Sequence, residues 1–212
     1  MLIKFCGLTR REDVRAAAAL GVNYIGLNFY SPSPRSVSYE QAADLSKDIP
    51  KAVQCVGLVV NPSDVALDTL LSRVPLDMIQ LHGDEPPERV ADVKARYGKP
   101  VIKALGVKNA DDVVRIDAYE TVAALLIIDA KPTDPKDLPG GNGVPFDWGL
   151  IADRTWKTQW LLAGGLNERT VARGIQKTKA KQVDVASGIE RAAGEKSTER
   201  MRDFVEAARS AL

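Results

Sequence analysis

Ala124-Leu125-Leu126-Ile127-Ile128-Asp129 sets five apolar residues in unbroken succession before a carboxylate. The run does not alternate polar with apolar, so it reads as a strand buried on both faces, as in parallel sheets. Seven further runs share its character: Leu2–Leu8, Tyr24–Tyr30, Ala52–Val60, Met78–His82, Val101–Val107, Trp160–Ala163 and Gln182–Ala186. Each is roughly 4–9 residues long and rich in Val, Ile or Leu. An amphipathic, helix-like stretch follows each run. Start signals mark several of them: Asn61-Pro62-Ser63, Asn109 before Ala110-Asp111-Asp112, and Asn167-Glu168 before Val171-Ala172.

Eight strand–helix repeats in 212 residues predict an α/β protein, a single (β/α)8 TIM barrel occupying residues 1–212 as one domain. An open, doubly wound sheet of eight strands is the alternative. That arrangement usually carries a Gly-x-Gly-x-x-Gly turn after its first strand, and none follows Leu2–Leu8.

Composition narrows the function. Hydrophobic residues make up 45% and charged residues 27%, the balance of a globular protein. Lys plus Arg (29) nearly cancels Asp plus Glu (28), so no global field favours nucleic acid or an anionic membrane. Two cysteines, Cys6 and Cys55, make neither a disulfide scaffold nor a structural zinc site. The N-terminal run is too short for a signal peptide, and no stretch of about 18 apolar residues occurs. A cytoplasmic location is expected.

In a barrel, the residues to interrogate lie at the C-terminal ends of the strands. They are Cys6, Asn28, His82, Asp129, Gly164-Gly165 and Ser187-Gly188. The last two pairs end adjacent strands in glycine turns, where backbone N–H groups and helix N-termini favour an anion. A phosphorylated small-molecule substrate follows; tight turns without a ligand are the plain alternative. Cys6 precedes a glycine at the catalytic end, whereas Cys55 sits mid-strand between Gln54 and Val56. A strand cysteine is ordinarily a small buried hydrophobe, and composition alone leaves Cys6 in that role. Asp129 tips a buried strand, where partial burial raises a carboxyl pKa toward that of a general acid.

Arg35, on the proline-stiffened loop Ser33-Pro34-Arg35-Ser36, suits a substrate carboxylate through a planar two-bond contact, or is simply solvated. His82, the only histidine, either contacts substrate or stabilises its own turn, and a lone His argues against a metal. One long loop, Lys131–Phe146 (KPTDPKDLPGGNGVPF), carries four prolines and three glycines on the expected catalytic face. Loops of that length in compact domains are usually functional, so a lid is expected there.

Taken in order, several segments resemble those of the phosphoribosylanthranilate isomerase family of tryptophan biosynthesis. They are Lys4-Phe5-Cys6-Gly7-Leu8-Thr9, Asn28-Phe29-Tyr30 with Ser33-Pro34-Arg35, and Gln80-Leu81-His82-Gly83-Asp84-Glu85. Ile102-Lys103-Ala104, Ile128-Asp129-Ala130, and Gly141-Asn142-Gly143 with Phe146-Asp147-Trp148 follow. Leu162–Leu166 and Val183–Glu190 complete the set, so the resemblance runs essentially end to end.

The resemblance implies an Amadori rearrangement of N-(5′-phosphoribosyl)anthranilate without cofactor or metal. Asp129 would be the acid that opens the furanose, and Cys6 the base that takes the C2′ proton. Arg35 would hold the anthranilate carboxylate, and Gly164, Gly165, Ser187 and Gly188 the phosphate. Two departures stand out. Ala186 replaces a serine usual in the family, and Val144-Pro145 follows the glycine-rich loop where the family often has a lysine.

The related aminoaldose isomerase of histidine biosynthesis is the nearest alternative, but it uses an aspartate where this chain has Cys6. A non-catalytic phosphate-binding barrel is an alternative of another class. Either a monomer or a homodimer is compatible with the sequence. Strand alternation places Lys4 on the face of Cys6 and Asp184 on the face of Ala186. Since first and last strands adjoin in a closed barrel, Lys4 and Asp184 are expected to pair inside it. A cation there would also help to lower the thiol pKa of Cys6.

Overall fold

The structure, a computed structural model, describes residues 1–131, 140, 143 and 145–211. Eight parallel strands close into a barrel in chain order. They are β1 (Leu2–Cys6), β2 (Tyr24–Asn28), β3 (Gln54–Val59), β4 (Met78–Leu81), β5 (Val101–Val107), β6 (Leu125–Ala130), β7 (Trp160–Leu162) and β8 (Gln182–Val185). Closure is made by β1, which pairs in parallel with β2 on one side and β8 on the other. An open sheet is excluded by that second pairing.

Helices cover the outside: α1 (Arg11–Ala19), α2 (Tyr39–Ser46), α3 (Asp64–Arg73), α4 (Pro87–Tyr97), α5 (Ala110–Arg115), α6 (Val171–Thr178) and α7 (Thr198–Arg209). Their starts follow the sequence signals, with one shift. Ser63 caps α3 by accepting from Ala66 N–H, and Asn109 forms a reciprocal capping box with Asp112. Before α6, Asn167 Oδ1 instead accepts from the N–H groups of Arg169 and Thr170, so the helix proper begins only at Val171.

The expectation of a full helix after every strand needs two corrections. Among the described residues, only a short 3-10 helix (Trp148–Ile151) stands between β6 and β7. Little chain separates Asp147 from Trp160, and the buried Trp148 and Ile151 seal the barrel wall there without further turns. Beyond β8 a small antiparallel hairpin, β9 (Glu190–Ala192) and β10 (Glu195–Lys196), precedes α7. Its turn needs the left-handed conformation that Gly194 adopts, with φ +82°.

Two apolar clusters build the core. The larger lies between strands and helices and includes Ile3, Phe5, Ile25, Ile79, Leu126, Ile128 and Phe204. The smaller fills the barrel interior from one side, with Val56, Met78, Ile102, Leu125, Ile127 and Leu161. On the other side the interior is polar. Tyr24 Oη donates to Gln182 Oε1 (3.2 Å), and above it Lys4 Nζ bonds Asp184 Oδ1 at 2.8 Å. The expected Lys4–Asp184 pair is therefore present, between residues in direct register across β1 and β8. Gly26 makes room for it: a Cβ there would lie 2.9 Å from Cys6 Sγ and 3.3 Å from Lys4 Nζ.

Candidate active site

One pocket opens at the C-terminal mouth of the barrel. Cys6, Arg35, His82, Asp129, Gly164, Gly165 and Ser187 all line it. Gly188 does not; it belongs to the one-turn 3-10 helix Ser187–Ile189 just behind the lining. The expected lid lies mostly outside the described residues (132–139, 141, 142 and 144), so its closure is not described. Of its described positions, Gly140 and Gly143 line the pocket. A Cβ on Gly140 would meet Asp129 Oδ2 at 2.8 Å and His82 Nε2 at 2.5 Å, so this backbone lies directly against both side chains.

Asp129, at the end of β6, is 8% exposed. Burial raises its pKa from 3.8 to about 7, and the negative charge of Asp184 adds to the rise. A bond from the N–H of Ala130 (2.7 Å) pulls the other way and fixes the carboxyl rotamer. The result is a carboxyl that still holds its proton near neutrality, as a general acid must.

Cys6, at the end of β1, is 5% exposed. Burial pushes its thiol pKa up from 9.0, and Asp184 adds to that. Lys4 and, more weakly, Lys196 pull it down without winning. The expectation that Lys4 lowers this pKa is thus half met: the cation acts in the right sense, but desolvation is larger. Lys4 keeps its own charge, since Asp184 and Cys6 outweigh the burial that opposes it. Cys55 is 3% exposed, does not line the pocket, and has its thiol pushed up to about 12 by burial.

His82 is neutral. Burial, with the charges of Lys103 and Lys4, lowers its pKa to about 3. Its Nδ1 meets Gln80 Nε2 at 2.8 Å; with the amide donating, the ring proton sits on Nε2. Nε2 lies 3.7 Å from Asp129 Oδ2, which is too long for a hydrogen bond and, with a neutral ring, no ion pair. The turn carrying His82 is held from beneath. Glu85 accepts from Asn61 N–H (2.7 Å), Gly83 N–H (2.9 Å) and Lys103 Nζ (2.7 Å).

Arg35 reaches the pocket from the loop after β2. Asn28 organises that loop by accepting from Tyr30 N–H (2.8 Å) and donating to Ser33 Oγ (3.1 Å), which in turn accepts from Arg35 N–H. The guanidinium is buried rather than solvated. Its planar two-bond partner is Glu190, through Nε (2.7 Å) and Nη2 (2.8 Å). Neither Glu190 nor Lys196, which bonds the same carboxylate at 2.7 Å, carries a sequence signal of this contact. A run such as Gly194-Glu195-Lys196-Ser197 reads as a polar surface turn, and no spacing betrays the lysine's burial.

The glycine turn expected to hold an anion lines the same pocket. Gly164 and Gly165 take φ +79° and +65°, a backbone conformation that favours glycine, and both line the pocket. Ser187 joins them from the next strand, with Ala186 beside it in place of a second hydroxyl. The site therefore offers, in one cavity, a carboxyl that holds its proton, a thiol beside an ammonium, a buried guanidinium and a two-glycine turn.

Comparison with known proteins agrees with this arrangement. The family model described as N-(5′-phosphoribosyl)anthranilate (PRA) isomerase matches residues 3–207. The N-(5′-phosphoribosyl)anthranilate isomerase of Ruegeria sp. (strain TM1040) is 54% identical over 209 residues, covering 98% of this chain and 97% of that one. The phosphoribosyl anthranilate isomerase of Thermotoga maritima superposes with a TM-score of 0.89 at 33% identity, over 99% of each chain. Another isomerase structure, holding reduced 1-(o-carboxyphenylamino)-1-deoxyribulose 5-phosphate, gives a TM-score of 0.85 at 32% identity, over 99% of this chain and 100% of that one. Matched in sequence and in structure along its length, the chain belongs to the phosphoribosylanthranilate isomerase family.

Proposed function

We propose that Cys6 and Asp129 carry, as base and acid, the isomerase reaction that family membership gives this chain. That reaction converts N-(5′-phosphoribosyl)anthranilate to 1-(o-carboxyphenylamino)-1-deoxyribulose 5-phosphate in tryptophan biosynthesis. The observation that carries the assignment is the raised pKa of Asp129, about 7, in the same pocket as Cys6. Two groups of different chemistry thus stand at opposite strands of one mouth.

Asp129 donates its proton to the furanose ring oxygen as the C1′–O bond breaks, leaving a protonated Schiff base. The Cys6 thiolate then removes the proton from C2′, and the electrons of that C–H bond neutralise the iminium to give an enolamine. Tautomerisation of the enolamine yields the aminoketone. Lys4 stabilises the thiolate, and the neutral His82 supplies an N–H donor beside the acid without competing for its proton. Arg35 receives the anthranilate carboxylate. The turn at Gly164-Gly165, with Ser187 and the backbone at Gly188, receives the phosphate, so loss of a side-chain hydroxyl at Ala186 leaves the main-chain donors intact. Residues 1–212 act as one domain, since the strand that closes the barrel at one end of the chain pairs with β8 near the other.

Purified protein added to phosphoribosylanthranilate should quench its fluorescence as the substrate is consumed. Cys6→Ala and Asp129→Asn should each slow the single-turnover step by about a hundredfold or more, with unchanged circular dichroism. Near-normal turnover in either variant would remove that residue from its role.

A further inference from the structure

Two buried charged residues at the site take no part in the acid–base chemistry. Glu190 and Lys196 are 6% and 1% exposed, and both belong to the β9–β10 hairpin. Glu190 accepts from Arg35 Nε and Nη2 and from Lys196 Nζ. Lys196 Nζ also donates to the carbonyl of Ala186 (2.9 Å), the residue that leads into the anion-binding turn. The hairpin is fixed in turn from the loop after β1. Thr9 Oγ1 donates to the Gly194 carbonyl (3.0 Å), and Arg10 Nη2 to the Lys196 carbonyl (2.9 Å).

Among the described residues, Arg35 and Lys196 share the carboxylate of Glu190, so one buried group fixes both cations. Burial draws the Lys196 pKa down against the pull of Glu190.

We propose that Glu190 and Lys196 are positioning residues that set Arg35 for the substrate's ring carboxylate and tie that end of the site to the phosphate turn. Glu190 grips the guanidinium through Nε and Nη2, which fixes its plane, and Lys196 braces that carboxylate from the other side of the hairpin. Through the Ala186 carbonyl the same lysine fixes the spacing between the carboxylate and phosphate ends. The inference rests on the reading of Arg35 as the carboxylate contact.

The test compares wild type, Arg35→Met, Glu190→Gln and Lys196→Met on two substrates: phosphoribosylanthranilate and the aniline analogue that lacks the ring carboxyl. Glu190→Gln should raise KM for the carboxylated substrate about tenfold while changing KM for the analogue and kcat by less than about twofold. Lys196→Met should show the same preference loss and also weaken competitive inhibition by inorganic phosphate about threefold or more. A folded Glu190→Gln that raises KM equally for both substrates, or for neither, overturns the proposal; should that variant not fold, Lys196→Met is judged by the same comparison. If Arg35→Met keeps the full preference for the carboxylated substrate, the reading of Arg35 itself falls, and the inference with it.

Discussion

Replacing Lys4 by methionine keeps the shape of the side chain and removes its charge, so it isolates what that ammonium does. Its Nζ lies 2.8 Å from Asp184 Oδ1 and is fully buried. Breaking a buried pair from one side costs about 3–5 kcal/mol, because the remaining carboxylate is stranded. For a chain of this size that corresponds to a fall in Tm of roughly 6–20 °C.

The effect on Cys6 is separable from the effect on stability. Both Sγ and Nζ come within van der Waals reach of one point, the position of a Cβ on Gly26, so they lie no more than about 6 Å apart. At an effective dielectric constant of about 20, a unit charge at that distance is worth about 3 kcal/mol, or about two pH units on the thiol. Alkylation of Cys6 by iodoacetamide, followed by mass spectrometry across pH, reads this directly. Cys55 is an internal control, since its thiol, raised to about 12, stays silent.

Wild type should show a midpoint above the ordinary value of 9.0. Lys4→Met should move it higher, and Asp184→Asn should move it lower, because Asp184 is a charge that opposes the thiolate. The double variant Lys4→Met, Asp184→Leu should recover much of the lost stability without recovering the reactive thiol. An alkylation midpoint that stays put in Lys4→Met, or that rises in Asp184→Asn, would refute the electrostatic account of Cys6.

Two further outcomes follow from the pKa of Asp129. Its folded value of about 7 lies above the unfolded one, so its contribution to stability is present below about pH 4 and is lost as pH rises through 7. Asp129→Asn should therefore be more stable than wild type at pH 8, by up to roughly 4 kcal/mol, and no more stable at pH 3.5; equal urea midpoints at pH 8 would contradict this. In steady-state kinetics, kcat/KM should rise to a plateau near pH 7 and fall only above about pH 9, where Cys6 and Asp129 lose their useful combination of states. With the acid titrating below the base, the competent form, thiolate with protonated carboxyl, is at most about one molecule in a hundred on that plateau. An alkaline limb that begins below pH 8 is the result that would sink this ordering.

How much of this was legible in the sequence differs from residue to residue. Unbroken apolar runs such as Leu125–Ile128 settle the strands, since backbone buried on both faces demands them. Period-two alternation places Lys4 beneath Cys6 and, once the barrel is closed, opposite Asp184. Position at a strand tip likewise places Cys6, His82 and Asp129 at the mouth, because side-chain direction follows from local geometry. The single turn Trp148–Ile151 before β7, among the described residues, and the hairpin after β8 were not legible, because amphipathic spacing over a few residues does not distinguish a full helix from a single turn.

The order of strands, the polar residues at their tips and the glycine turns at Gly164-Gly165 and Ser187-Gly188 are features of local chain chemistry and can be read from the residues alone. The balance of charge among them is set only once the barrel closes. Desolvation outweighs Lys4 at Cys6 and lifts Asp129 to about 7, and both effects depend on how closely other strands pack around each group. The pairing of Arg35 with Glu190 joins residues 155 positions apart in sequence, and Lys196 is buried against that same carboxylate. No periodicity encodes such contacts, since they come into being only when the barrel closes.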